Sequence, residues 1–212
     1  VTFTPQAEGS IPGTLTVTGS AGTQTVVLSG TGEKSLVTHY YRSILRRAPD
    51  AGGKAFWDSE AARMTALGAN LNETWYAMAA SFFASAEYTG FNRTNAEFIS
   101  DLYNTFFNRP ADAGGLAYWE GQIAQGMPRG VVLNEFMFSN EFTTFAQGIF
   151  GNTAVRAEID TVTDFYRGLL ARLPDNDGFN SWVTQFRNAQ CLGAGAVYAQ
   201  VESISSQFAT GS

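Results

Sequence analysis

The 212-residue chain carries 13 Lys and Arg against 19 Asp and Glu, a formal charge of −6. That balance argues against nucleic acid as a partner, because such binding needs clustered cations to neutralise phosphates. Hydrophobic residues make up 44% of the chain, ample for a core, yet no stretch nears the ~20 apolar residues of a membrane-spanning helix.

The chain opens on VTFTPQ, which reads as the middle of something, either a processed mature form or an excised fragment. Residues 1–31 are rich in Thr, Gly, Ser and Val, with Glu8 the single charge. TLTVT (14–18) and TQTVVLS (23–29) alternate as strands do, and GSAG between them is a turn cluster. VTFT supplies a third expected strand. A ribbon of two or three short strands is marginal alone and leaves backbone edges open. It must pack on the rest of the chain, belong to a larger sandwich, or take strands from another molecule.

From residue 32 the pattern becomes helical and repeats. RRAPDAGGKAFW (46–57) returns as NRPADAGGLAYW (108–119) and ARLPDNDGFNSW (171–182). Tyr41, Tyr103 and Tyr166 stand ahead of Arg47, Arg109 and Arg172. Asp50, Asp112 and Asp175 follow, then Gly53, Gly115 and Gly178, then Trp57, Trp119 and Trp182. The helix before each loop has the same apolar stripe: Val37, Tyr40, Tyr41, Ile44 and Leu45 in the first copy. The expected body is therefore mainly α, with three related units of about three helices each (33–92, 93–152 and 153–209). Together they make a helical domain over 32–212 behind a β segment over 1–31.

The repeated residues have a structural reading. Each Asp is placed to cap the following helix, each Arg to end the preceding helix and clasp that Asp. The Gly permits close approach of the chain, and Tyr and Trp fill the corner. The third helix closes at SAEY (85–88), SNEF (139–142) and SSQF (205–208). The connection before it varies in length, and its longest form, ALGANLN in the first copy, is a natural place for recognition.

Candidate chemistry is sparse. PDNDG (174–178) resembles a fragment of a calcium loop, with Asp175 and Asp177 as candidate ligands. The twelfth position from Asp175 is Phe186 rather than the Glu of an EF-hand, and the other copies have Ala-Gly there. One histidine, His39, and one cysteine, Cys191, exclude a zinc site of ordinary N/S ligands and an internal disulfide. Asp160 with Asp164, or Glu135 with Glu141, are the nominal carboxylate pairs for a glycosidase, but no site signature marks either. The expectation is that the chain is not an enzyme and holds no cofactor, calcium apart. Trp75 and Tyr76, beside the loop at residues 66–72, are the expected exposed aromatics for a glycan.

The unit Y-x5-R-x2-D-x2-G-x3-W, closing with S-x-E-[FY], resembles the bacterial family called domain of unknown function 4214. YYRSILRRAPDAGGKAFW, LYNTFFNRPADAGGLAYW and FYRGLLARLPDNDGFNSW carry it, with Asp177 and Gln207 departing in the third copy. FTP…GTLTV…GTQTVVLSGTG resembles the last strands of an abnormal-spindle/Hydin-type immunoglobulin-like sandwich. These resemblances imply a secreted or cell-surface bacterial module. Its expected role is assembly or adhesion, through self-association or another surface protein, with polymerisation by strand addition as the sharper version. A carbohydrate-binding module and a weak calcium-binding surface domain are the alternative readings.

Overall fold

A computed structural model describes residues 9–20, 22–32, 35–150 and 156–210. The segment VTFT, expected as a strand, lies outside the described residues. Two antiparallel strands, β1 (Gly9–Gly19) and β2 (Gly22–Gly32), form a two-stranded sheet. Its register pairs Leu15 with Val26 and Thr16 with Thr25. Directly paired residues share a face. Leu15, Val17, Val26 and Leu28 therefore lie on one side of the ribbon, and Thr14, Thr16, Thr23 and Thr25 on the other.

The rest is helical, with eleven helices among the described residues. The first unit holds α1 (Leu36–Ser43), α2 (Ala51–Ala66), α3 (Asn72–Ala84) and α4 (Ala86–Thr89). The second holds α5 (Asn95–Phe106), α6 (Ala113–Ala124), α7 (Arg129–Met137) and α8 (Asn140–Phe150). The third has α9 (Ala157–Leu170), α10 (Asn176–Leu192) and α11 (Ala194–Thr210). Two units thus have four helices rather than three, and a serine is the reason. Ser85 Oγ donates to the carbonyl of Phe82, ending α3, and accepts from the amide of Tyr88, starting α4. Ser139 does the same between Phe136 and Phe142. The motif S-x-E-[FY] therefore opens a helix instead of closing one.

The apolar stripes build two cores. The first joins units one and two: Leu36, Tyr40 and Ile44 of α1 meet Trp75 and Met78, Ile99 and Phe106, Phe136 and Phe142. The second gathers Ile159, Val162, Tyr166, Phe179, Val183, Phe186, Ile204 and Phe208 from unit three, with Met64 and Ala69 of unit one. Met64 at the end of α2 is fully buried there. No described residue of the ribbon belongs to either core.

Unit three also corrects the reading of SSQF. Ser205 lies inside α11, where its hydroxyl donates to the carbonyl of Val201. Phe208 meets Tyr166 at 5.0 Å and Trp182 at 5.6 Å between ring centroids. Phe82 stands in that relation to Tyr41 and Trp57, and Phe136 to Tyr103 and Trp119. The counterpart of Phe208 is thus the phenylalanine three residues before the capping serine, and Gln207 does not replace Glu87 or Glu141.

Candidate functional site

Each repeat forms a helix corner of the same construction. Asp50, Asp112 and Asp175 are N-caps, with a carboxylate oxygen 2.8 Å from the amides of Gly53, Gly115 and Gly178. Those bonds hold all three carboxyls below the usual aspartate range. The glycines are needed for space. A β-carbon on Gly53 would stand 1.9 Å from the Tyr41 hydroxyl, on Gly115 2.0 Å from that of Tyr103, and on Gly178 2.2 Å from that of Tyr166. Burial, with the charge of Asp175, pushes the Tyr166 phenol up to about 12.

The arginines lie past the helix ends rather than on them. Arg46, Asn108 and Ala171, each just before a repeated Arg, take left-handed backbone at φ 59, 50 and 50. The turn is a Schellman type, in which the Arg47 amide donates to the Tyr41 carbonyl at 3.3 Å. It swings the guanidinium over the tyrosine ring, 4.8 Å from the centroid for Arg47, 4.9 Å for Arg109 and 4.9 Å for Arg172. From there Arg47 reaches Asp50 at 3.2 Å and grips Glu87 with two bonds of 2.7 and 3.1 Å. Arg109 grips Glu141 equally, at 2.7 and 3.2 Å. The S-x-E signature was visible in the sequence, and its recurrence after two of the loops was the signal that pairs Arg with Glu. Trp57, Trp119 and Trp182 are half-buried against the two cores.

The third corner differs because another unit holds it. Arg63 of α2 donates to the carbonyl of Pro174 at 2.6 Å and to Asn176 Oδ1 at 3.0 Å. Glu60 fixes the same guanidinium through its other edge. The calcium-like PDNDG segment is therefore a docking point for an arginine. Asp175 spends one oxygen on Gly178 and the other on Arg172 and Tyr166. Asp177 is exposed, and no group of three or more His, Cys, Asp or Glu suited to a metal ion occurs among the described residues. Two guanidinium groups beside these oxygens make the spot a poor one for a cation.

The long first-copy connection is partly internal, with Ala66 and Gly68 exposed. Ala69 is buried in the second core, Leu67 packs against it, and a β-carbon on Gly68 would meet Ile159 at 3.8 Å. Just beyond, the buried Glu73 of α3 pairs with Arg167 of α9, which also holds Asp164. Burial raises the Glu73 carboxyl despite that partner, and burial with the charge of Asp164 raises Asp160. Of the carboxylates nominated as catalytic pairs, Glu141 and Asp164 are thus tied to arginines.

Trp75 is not a surface aromatic: it is 2% exposed and fully within the first core. It packs among the residues of that core rather than standing out beside the loop. Tyr76, one residue on, is half-buried and faces a cavity of about 360 Å³ between α3, α7 and α9. Its ring meets Phe138 edge-on at 4.8 Å, and Arg167 lies 5.1 Å over Phe138. Burial, then Glu73, pushes the Tyr76 phenol up to about 12. Sequence reading missed Phe138, which is 48% exposed, because an aromatic at a helix end looks like core. His39 is packed too, its Nε2 2.7 Å from the Thr105 carbonyl and its ring against Phe145.

Helix corners built on Arg, Asp, Gly and Trp, two of them tied to a Glu of a serine-capped helix, recur through this helical body. Residues 79–145 match the family described as Domain of unknown function (DUF4214). The match begins in α3 and ends in α8, so it takes in the second corner and its Arg109–Glu141 tie. Comparison with curated proteins and with solved structures finds no match.

Proposed function

We propose that the chain is a non-enzymatic assembly module of the bacterial cell surface, whose β-ribbon pairs edge to edge with that of a second copy. The observation that carries this reading is the ribbon itself. No described residue of it enters a core, and no third strand pairs with it among the described residues. Val17 is 56% and Val26 51% exposed on its apolar face.

Natural edges are guarded by charge, proline, bulges or cover, since open backbone groups recruit further strands, and the ribbon has one such guard, Pro12 near the start of β1. Residues 9–32 contain no Asp, Glu, Lys or Arg at all, on a chain of charge −6. The eleven pairs from Gly9–Gly32 to Gly19–Gly22 run without interruption. Such an edge adds a like strand with main-chain bonds and without charge repulsion. The repeated polar residues of the body are spent on its corners, which supports a structural role over a catalytic one.

Light scattering on a size-exclusion column tests this. The full chain is expected to show mass rising with concentration, and a chain lacking residues 9–32 to stay monomeric. A full chain that is monomeric throughout, or an oligomer unaffected by the deletion, overturns the proposal.

A further inference from the structure

The cavity between α3, α7 and α9 falls inside the size range of small-ligand pockets. One of its walls is Gly168, in the last turn of α9. Glycine weakens a helix, and it is normally kept there for close packing. Here a β-carbon on Gly168 would meet nothing within 4 Å. The equivalent places, two residues after the corner tyrosine, are Ser43 and Thr105, whose hydroxyls bond each other at 3.0 Å. In unit three the same position leaves open space.

The lining combines aromatic rings with planar polar groups. Phe138 and Tyr76 present aromatic surface, Asn134 an amide, and Glu73 with Arg167 a carboxylate–guanidinium pair. Arg167 takes Oε1 of Glu73, so Oε2 can accept from a ligand hydroxyl. Pockets of this kind fix a ligand through a few convergent polar groups around an apolar body.

We propose that this cavity binds a single pyranose unit of a glycan. One C–H face of the sugar lies on Phe138, and its rim hydroxyls reach Asn134 and the Glu73–Arg167 pair. A pyranose offers the matching combination, apolar on its faces and hydrogen-bonding around its edge. The site is remote from the ribbon in sequence and shares no residue with it, so it stands or falls separately from strand pairing.

A glycan array probed with the labelled full chain, with Gly168→Ala and with Gly168→Trp tests the assignment. The wild type and Gly168→Ala are expected to share a set of bound glycans, with Gly168→Ala melting higher because alanine favours the helix. Gly168→Trp is expected to fill the cavity and weaken binding at least about tenfold while keeping a cooperative melt. Should the tryptophan disturb folding, Phe138→Ala, at an exposed ring, provides the second arm and should lose the same glycans. No glycan bound by the wild type, or binding undiminished in both the Trp and Phe138→Ala variants, overturns the proposal. Deleting residues 9–32 should leave the signal unchanged.

Discussion

The hydroxyl of Tyr41 lies 1.9 Å from where a β-carbon on Gly53 would stand, so the two residues can coexist only as tyrosine and glycine. The same is true of Tyr103 with Gly115 and Tyr166 with Gly178. Gly53→Ala and Gly115→Ala are each expected to cost about 1–3 kcal/mol, as overpacking of a filled site does. Gly52→Ala is the control, since its β-carbon would meet only ordinary contact at 3.6 Å. Urea midpoints of the three variants check this.

Arg63 joins unit one to the third corner, and its removal should be felt on one side only. Arg63→Ala is expected to cost about 1–3 kcal/mol, in line with bonds from a charged donor. Amide exchange should quicken in α9 to α11 and stay unchanged in α5 to α8. Met64→Ala should act on the same core by leaving a cavity, at about 2–5 kcal/mol.

The corner carboxylates set an acid limit. Bonds to backbone amides and to Arg lower the carboxyls of Asp50, Asp112, Asp175 and Glu87 in the fold. Their contribution is present above the ordinary carboxylate range of ~4 and is lost as pH falls below it through the lowered values. Glu73 and Asp160 have the opposite sign. Their raised values favour the protonated fold, so that contribution is lost as pH rises through them. The stability of the wild type relative to Glu73→Gln should therefore improve as pH falls from neutral to the ordinary glutamate value of ~4.3. Denaturant midpoints of the two proteins at both pH values measure this.

Calcium should leave the protein unaffected. A ligand that binds only the fold raises its melting point, and the oxygens of Asp175 are already engaged by Gly178, Arg172 and Tyr166. Melts with excess calcium and with a chelator are expected to coincide.

The helical body and its corners were legible in the sequence because they rest on local chemistry. Asp before Gly, the Tyr-to-Trp spacing and the stripe through Tyr40 and Ile44 each act within a few turns. What was not legible depends on distant partners. Arg63 carries no mark of reaching Pro174, 111 residues on, and Asn176 looked like part of a calcium loop. The left-handed turn at Arg46 and Ala171 was hidden because neither residue favours that backbone, unlike Asn108. Trp75 was read as exposed from its nearness to a loop, but its rotation on α3 turns it into the first core. Phe208 shows how a short motif misleads: SSQF matches SNEF in letters, which pairs Phe208 with Phe142, but packing pairs it with Phe136, six residues earlier.

The central claim is that the β-ribbon is an open edge that pairs with its like. Hydrogen exchange of the outward-facing amides of β1 and β2, measured from dilute to concentrated solution, tests it most directly. The account predicts that protection there rises with concentration while the helical amides stay constant. Ribbon amides that exchange equally fast at every concentration would contradict it.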